Sequence, residues 1–204
     1  MLATAPGARL VIGVEPGTSR ETMAQAIRDN TLEDHIAVAD VNPGDVLFIP
    51  AGTVHAIGPG ILLYEIQQSS NTTYRLYDWG RMGLDGSPRA LHIDKGVQVS
   101  NVDSLPEVTH PGGPDDTEVT LVSSAFFTTK RYSLNDSARS FDTAGFFHAL
   151  TCVEGEIILH WPDNGSLVFR KGQTVLVPAK QGAYTLSGAG TVLLSSASSK
   201  TAVG

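Results

Sequence analysis

Short apolar runs, each closed by glycine, proline or asparagine, limit what this chain can fold into more than any other feature. Its 21 glycines and 11 prolines are spread along all 204 residues. Runs such as 46–50, 53–57, 61–67 and 73–79 are too short for helices and are expected to be strands. They follow one another at spacings of about 8–12 residues, which is typical of β-sandwiches and β-barrels. The sequence therefore predicts a mainly β fold.

One segment, residues 18–30, has a helical pattern instead. Thr18 and Glu21 fit a capping box at its start, and apolar residues recur at helical spacing behind them. We expect one helix, at about 19–30, inserted among the strands. Residues 92–100 fit a short helix or a strand equally well.

An internal repeat divides the chain. Residues 43–51 (PGDVLFIPA) resemble residues 171–179 (KGQTVLVPA), and both read as a turn, a strand and a proline followed by a small residue. Two copies of one β-module explain the similarity, although any two strands that end in Pro-Ala would look alike. The proline- and glycine-rich stretch 106–116 is the predicted linker. We therefore expect one module at 1–105 and another at 117–204.

Composition limits the partners. Fourteen Lys and Arg against 21 Asp and Glu give a net charge of −7, with no basic stripe, which argues against nucleic acid. The apolar runs are far shorter than the roughly 20 residues of a membrane helix. Met1–Gly7 lack the pattern of a signal peptide, and the lone Cys152 excludes an internal disulfide and a cysteine-based zinc site. A cytoplasmic location is therefore expected, and the sequence does not predict an oligomeric state.

Two segments carry groups suited to ligand binding. His55 alternates with Val54 in an apolar strand, so it is either a ligand of a divalent metal or a hydrogen-bonded core histidine. Residues 65–81 concentrate acceptors, hydroxyls and two arginines, Arg75 and Arg81, among aromatic residues. Such groups are costly to bury without partners. The segment suits a polyhydroxylated ligand with an anionic group, and an exposed polar hairpin is the alternative.

These segments resemble the type I mannose-6-phosphate isomerases, and the short bacterial branch in particular. The resemblance lies in residues 44–58 (GDVLFIPAGTVHAIG), 65–68 (EIQQ), 72–78 (TTYRLYD) and 91–95 (LHIDK). It extends from about Pro6 to Val102 and continues more weakly to the end. It implies cupin (jelly-roll β-barrel) modules, a zinc ion, and interconversion of mannose 6-phosphate and fructose 6-phosphate.

The resemblance also implies roles for single residues. The histidine of the Gly-Thr-Val-His motif is a zinc ligand in the family and corresponds to His55, and the arginine of the Thr-Tyr-Arg motif is an active-site residue and corresponds to Arg75. A metal and a guanidinium can both stabilise the oxyanion that develops during aldose–ketose isomerisation. Arg81 is expected to help hold the substrate's phosphate. The alternative is that Arg75 and Arg81 both pair with surface carboxylates such as Asp78 and Asp85. Asn71 replaces an acidic residue of most relatives, so it can hydrogen-bond the substrate but cannot move a proton.

The family's zinc site needs more ligands than this sequence supplies. Family members use a Gln and a His of a Gln-Val-His segment, a Glu, and the histidine that matches His55. No Gln-x-His pair occurs in the 204 residues, and zinc normally takes at least three protein ligands. The remaining ligands are expected upstream of Met1, which would leave the first module incomplete at its N-terminus. The second module has Ala183 where the first has His55, so no metal ligand is expected there.

Three hypotheses follow. The first is a zinc-dependent mannose-6-phosphate isomerase, present here as an incomplete chain. The second is a non-catalytic module that binds sugar phosphates or serves assembly and derives from that enzyme. The third is a reading frame that starts further upstream and encodes an ordinary, longer isomerase.

Overall fold

The chain is mainly β, as predicted, and divides into two compact units. The computed structural model describes residues 1–70, 72–113 and 117–198. The N-terminal unit contains Met1–Tyr64 and the described residues of Ser69–Thr109. The C-terminal unit contains Glu65–Gln68 and the described residues from His110 onwards. Among the described residues, no helix is long and apolar enough to cross a lipid bilayer.

Short strands and two helices build the N-terminal unit. Its elements in chain order are β1 (Ala3–Thr4), β2 (Arg9–Val14), α1 (Arg20–Arg28), β3 (Ile36–Asp40), β4 (Val46–Leu47), β5 (Ala56–Ile57), β6 (Ile61–Leu62), α2 (Ile93–Val99) and β7 (Val108–Thr109). A 3₁₀ helix at Leu32–His35 precedes β3. The strands pair in small antiparallel sheets, ordered β3-β2-β5, β1-β6 and β4-β7.

The helix predicted at about 19–30 forms, but its ends differ from the prediction. Ser19, not Thr18, is the N-cap, because the Ser19 Oγ accepts a hydrogen bond from the backbone N–H of Thr22 at 3.1 Å. The helix stops at Arg28. Asn30 follows with a φ of 56° and donates to the Ile27 carbonyl at 3.2 Å, as in a Schellman motif with asparagine at the left-handed position.

The strand expected at 73–79 does not form, and the ambiguous segment that follows becomes helix α2. Residues 73–79 and α2 are joined by side-chain packing and by hydrogen bonds between Arg75 and His92, without a strand ladder. Gly96 of α2 is buried, and a Cβ there would lie 2.5 Å from the Leu76 Cδ2 atom. One apolar cluster, here called the Met23 cluster, joins these segments. Its members are Val14, Met23, Ile27 and Leu32, packed against Ile36, Val54, Leu76, Tyr77, Ile93, Val97 and Val102.

β7 lies inside the stretch 106–116 that the sequence predicts as a linker. It pairs with β4 in the register Val46↔Thr109 and Leu47↔Val108. A two-residue strand has no local pattern to mark it, and its partner lies 63 residues earlier in the chain. Only the tertiary fold brings these residues together.

The C-terminal unit is an antiparallel sheet built on two long strands. Its elements are β8 (Glu118–Ser123), β9 (Phe127–Asn135), β10 (Arg139–Asp142), β11 (His148–Trp161), β12 (Gly165–Arg170), β13 (Thr174–Val177), a 3₁₀ helix (Ala179–Gln181) and β14 (Ala183–Ala197). β11 pairs with β14 on one edge and with both β12 and β13 on the other. β14 pairs with both β9 and β10 on the edge that does not face β11. The core between the strands is Tyr132, Leu134, Leu150, Cys152, Ile157, Leu159, Phe169, Val177, Tyr184, Leu186, Val192 and Leu194.

Two glycines face each other where β11 pairs with β14. Gly155 pairs with Gly190, and the register shifts between Cys152 and Glu154, which marks a β-bulge. Gly155 has a φ of 70°, and a Cβ there would lie 2.1 Å from the Ala189 carbonyl oxygen. A Cβ on Gly190 would lie 2.3 Å from the Glu154 carbonyl oxygen. Side chains are therefore excluded from both positions by the neighbouring backbone.

Gly155→Ala is expected to destabilise the C-terminal unit by about 3 kcal/mol or more, because it combines left-handed strain with a backbone clash. Gly172→Ala is the matched control, since Gly172 has a φ of 86° but nothing within 4 Å of an added Cβ. That control should lose only about 1–2 kcal/mol. Urea unfolding measures both free energies of unfolding, and equal losses in the two variants would contradict the role of the close approach.

His148 is buried at the start of β11, where its Nδ1 lies 2.8 Å from the Tyr184 hydroxyl. The two rings meet edge-on at 5.8 Å, and Tyr184 stacks on Phe141 at 5.3 Å. Burial lowers the pKa of His148, and the charge of Asp142 opposes this shift only in part. Burial raises the pKa of the Tyr184 hydroxyl, because it too disfavours the charged form. The pair is therefore neutral and belongs to the core.

The stability of the C-terminal unit is expected to fall as the pH is lowered below about 6.5, the unfolded histidine value. In that range the unfolded chain binds a proton that folded His148 resists, so acid favours unfolding; above it this contribution is constant. Urea unfolding from about pH 7 to pH 5 should show a shallower slope for His148→Gln. An unchanged slope in His148→Gln would contradict the assignment of a buried, neutral His148.

Candidate functional site

Arg75 is held in place by its backbone. Its N–H donates to the His92 Nδ1 at 3.1 Å, and its carbonyl accepts from the His92 N–H at 2.8 Å. His92 is the N-cap residue of α2, and the next residue after Arg75, Leu76, packs in the Met23 cluster. Because Nδ1 accepts this hydrogen bond, the neutral His92 ring carries its proton on Nε2. The Arg75 side chain is 32% exposed, so a rigid backbone carries a guanidinium that solvent can reach.

Asp78 lies at the centre of three arginines. Arg89 Nε donates to Asp78 Oδ2 at 2.6 Å, and Arg89 Nη2 donates to Oδ1. Arg75 Nε lies 3.9 Å from Oδ1, and the Arg81 backbone N–H donates to the Asp78 carbonyl at 2.9 Å. The Arg89 hydrogen bond lowers the pKa of Asp78, and the charges of all three arginines act in the same direction. One carboxylate among three guanidinium groups leaves a positive surplus that suits an anionic ligand.

Arg89 is a residue that the sequence reasoning missed. It stands two residues before the Leu91–Lys95 stretch and 11 residues from Asp78. The sequence-based alternative was that Arg75 and Arg81 pair with carboxylates such as Asp78. Arg89 instead makes the close pair. Its position beside a recognised motif was the available signal.

Arg81 follows a tight turn and is exposed. Trp79 and Gly80, at the centre of this turn, have φ values of 49° and 65°. Tyr77 anchors the start of the turn, since its hydroxyl donates to Glu33 Oε1 at 3.0 Å and its ring meets Trp79 edge-on at 5.2 Å. Arg81 is therefore presented beside Asp78 on an anchored turn.

His55 lies directly before β5, and its side chain is exposed. Its Nδ1 is 2.8 Å from the Thr53 carbonyl oxygen, so Nδ1 carries the proton and Nε2 keeps its lone pair. This is the usual second hydrogen bond of a metal-ligating histidine. Among the described residues, however, no group of three or more His, Cys, Asp or Glu side chains could hold a metal ion. The described part of the chain thus does not complete a zinc site around His55.

The segments that carry His55 and Arg75 share one apolar cluster through the neighbours of these two residues. Val54 precedes His55 and Leu76 follows Arg75, and both pack in the Met23 cluster together with Ile93 of the Leu91–Lys95 stretch. The three motifs therefore surround one apolar cluster. Asn71, the predicted substrate-binding residue, lies outside the described residues.

Comparison with known proteins agrees with this geometry. Residues 117–197 match the model of the mannose-6-phosphate isomerase cupin domain, so the C-terminal unit is a cupin domain. The chain is 37% identical over 176 residues to the mannose-6-phosphate isomerase ManA of Bacillus subtilis, covering 84% of this chain and 55% of that relative. The solved structure of the Bacillus subtilis mannose 6-phosphate isomerase matches with a TM-score of 0.83 at 26% identity, over 96% of this chain and 62% of that one.

A Salmonella typhimurium mannose 6-phosphate isomerase, solved with fructose 6-phosphate and zinc, shares the fold. Its TM-score is 0.62 at 20% identity, over 86% of this chain and 48% of that one. Over the residues compared, the chain is similar to mannose-6-phosphate isomerases, which confirms the resemblance of its motifs to the type I family. It spans about half the length of the curated relatives it matches.

The purified 204-residue chain is expected to keep well below one equivalent of zinc after dialysis, because zinc sites take at least three protein ligands. Elemental analysis of the dialysed chain measures this, with His55→Ala as the test variant and His110→Ala as the matched control. A full equivalent that survives dialysis, persists in His110→Ala and disappears in His55→Ala would show that His55 has further ligands.

Proposed function

We propose that the chain carries the sugar-phosphate site of a zinc-dependent isomerase that interconverts mannose 6-phosphate and fructose 6-phosphate in the cytoplasm. Similarity to this family supports the reaction class. The observation that carries the proposal is the cluster of Arg75, Arg81 and Arg89 around Asp78, because its surplus positive charge stands beside the family's motifs. No nucleic-acid or membrane partner is part of the proposal.

Each residue has a task suited to its chemistry. Moving the proton between C1 and C2 of the sugar places negative charge on an oxygen, and the Arg75 guanidinium can donate two parallel hydrogen bonds to it. Arg81 would hold the phosphate. Asn71 can hydrogen-bond the substrate's hydroxyls but cannot transfer a proton.

Zinc would polarise the substrate's oxygen atoms when bound. His55 fits as one of its ligands, because its Nδ1–H is held by the Thr53 carbonyl and its Nε2 is left to coordinate. The other ligands would come from residues beyond those described. The chain's own contribution to the chemistry is therefore the arginine-rich surface and one metal ligand.

We also propose that the chain contains two cupin-like modules. The C-terminal cupin domain would be the module without metal ligands. The N-terminal unit would be part of the catalytic-type module, since it contains His55 and Arg75. Its described strands form sheets of two and three strands rather than a closed barrel. The repeat supports this reading, because β4 and β13 each follow a glycine turn and precede a proline.

A second candidate is a module that binds sugar phosphates without turning them over. The observation in its favour is that the described residues supply His55 alone toward a zinc site. Calorimetry with fructose 6-phosphate, combined with an isomerase assay in the presence of zinc, separates the two. Turnover supports the isomerase, binding without turnover supports the second candidate, and the absence of both contradicts the sugar-phosphate site.

In a longer chain that includes the remaining zinc ligands, Arg75→Lys is expected to lower the turnover number by on the order of 10²-fold or more, because lysine lacks the planar fork that stabilises the oxyanion. Arg81→Ala should instead raise the KM for mannose 6-phosphate and leave turnover nearly unchanged, since phosphate binding stabilises ground and transition states alike. Steady-state kinetics measures both. Arg9→Lys, at an exposed pair with Asp40, is the control, and wild-type turnover in Arg75→Lys would exclude Arg75 from the mechanism.

A further inference from the structure

Arg89 binds the Asp78 carboxylate through both of its oxygens. Nε donates to Oδ2 at 2.6 Å and Nη2 donates to Oδ1. This fork-to-carboxylate geometry makes an arginine–aspartate pair directional as well as strong. The Asp78 side chain is 11% exposed, so solvent screens the pair less than it screens an ion pair on an open surface.

The ion pair also closes the base of a loop. Asp78 and Arg89 stand at the two ends of residues 79–88. Within the loop, Met82 forms a β-bridge with Pro88, and the loop's internal hydrogen bonds include one from Gly83 N–H to the Ser87 carbonyl at 2.7 Å. The internal contacts of the loop thus position the Arg89 guanidinium against the Asp78 carboxylate.

Arg75 faces the same carboxylate without pairing closely with it. Its Nε lies 3.9 Å from Asp78 Oδ1, which is longer than a hydrogen bond. Its Nη1 donates to the Ala90 carbonyl at 3.4 Å, at the weak end of the range. An arginine has five N–H donors, so within the described part of the chain most of the Arg75 fork is available to a ligand.

The Asp78 carboxylate therefore competes with an anionic ligand for the Arg75 guanidinium. Arg89 prevents this by pairing with Asp78 itself. Without Arg89, the nearest guanidinium to this shielded carboxylate would be that of Arg75, and attraction between opposite charges would draw it into the same fork geometry. An arginine paired in this way would offer fewer donors, and less net charge, to an anionic substrate.

We propose that Arg89 is a positioning residue: it holds the Asp78 carboxylate and thereby keeps the Arg75 guanidinium available for the oxyanion of the substrate. Arg89 acts through Asp78 and does not itself contact the sugar. This proposal rests on the proposed sugar-phosphate function, since it takes Arg75 as the group that meets the reacting end of the substrate.

The test compares Arg89→Gln, Asp78→Asn and the double variant. Calorimetry with fructose 6-phosphate should show about a tenfold or greater loss of affinity for Arg89→Gln, the size expected when a charged hydrogen bond to the ligand is lost. Asp78→Asn should bind at least as tightly as the wild type, because it removes a negative charge beside Arg75. The double variant should recover wild-type affinity, because the competing carboxylate is gone. Arg9→Gln, which breaks the exposed pair with Asp40, is the matched control and should change nothing.

A double variant as weak as Arg89→Gln would overturn the proposal, because Arg89 would then contact the ligand or support the loop. Far-UV circular dichroism checks that each variant folds. If Arg89→Gln does not fold, Arg89→Lys replaces it: lysine keeps the charge and loses the fork, so affinity should fall by less, and Asp78→Asn should again restore it.

A separate measurement distinguishes failure of this proposal from failure of the proposed function. The NMR signal of the Arg75 Nε–H reports its pairing without any ligand. It should shift in Arg89→Gln and return to its wild-type position in the double variant. If the wild-type chain does not bind fructose 6-phosphate, the proposed function fails while this signal still decides the positioning role. An Arg75 signal that is the same in wild type and Arg89→Gln would overturn that role whatever the chain binds.

Discussion

Burial of apolar side chains around Met23 holds the N-terminal unit together, because its sheets contain only two or three strands. Met23 itself is 0% exposed, and burying one side chain of this size contributes roughly 1.5–3 kcal/mol. The segments that carry chemistry contain little regular structure, so few ladder hydrogen bonds fix them. What fixes them is that Val54 and Leu76, the neighbours of His55 and Arg75, are packed into this cluster. The positions of the functional side chains thus follow from the burial of their apolar neighbours.

The C-terminal unit depends on a different constraint, which is the close approach of β11 and β14. Each of these strands pairs with two further strands on its other edge. The bulge near Glu154 and the facing glycines Gly155 and Gly190 keep β11 and β14 paired with each other while each strand also pairs with two further strands. A core that includes Phe169 and Leu186 fills the space between them. Backbone contacts between the long strands set the strand arrangement of the C-terminal unit. Side-chain packing sets the positions of the irregular segments in the N-terminal unit.

The candidate site has a positive local charge, although the whole chain is acidic. The net charge is −7, yet Asp78 is surrounded by three arginines. Local geometry explains the difference, because a fork on a carboxylate neutralises one arginine and leaves the others to the solvent or a ligand. An acidic protein can therefore carry a site for a phosphorylated sugar, and the overall charge limits only large polyanions as partners.

The sequence by itself determined the features that depend on neighbours in the chain. Glycine and proline spacing predicted the mainly β class, and capping together with apolar periodicity predicted helix α1. The motifs around His55 and Arg75 identified the family. Tertiary structure alone decided what depends on distant residues: that 73–79 is not a strand, that α2 is a helix packed on Leu76, that β7 pairs with β4, and that Arg89 rather than Arg75 holds Asp78. Local preferences act over a few residues, whereas burial and charge pairing are satisfied only once the chain has brought distant groups together.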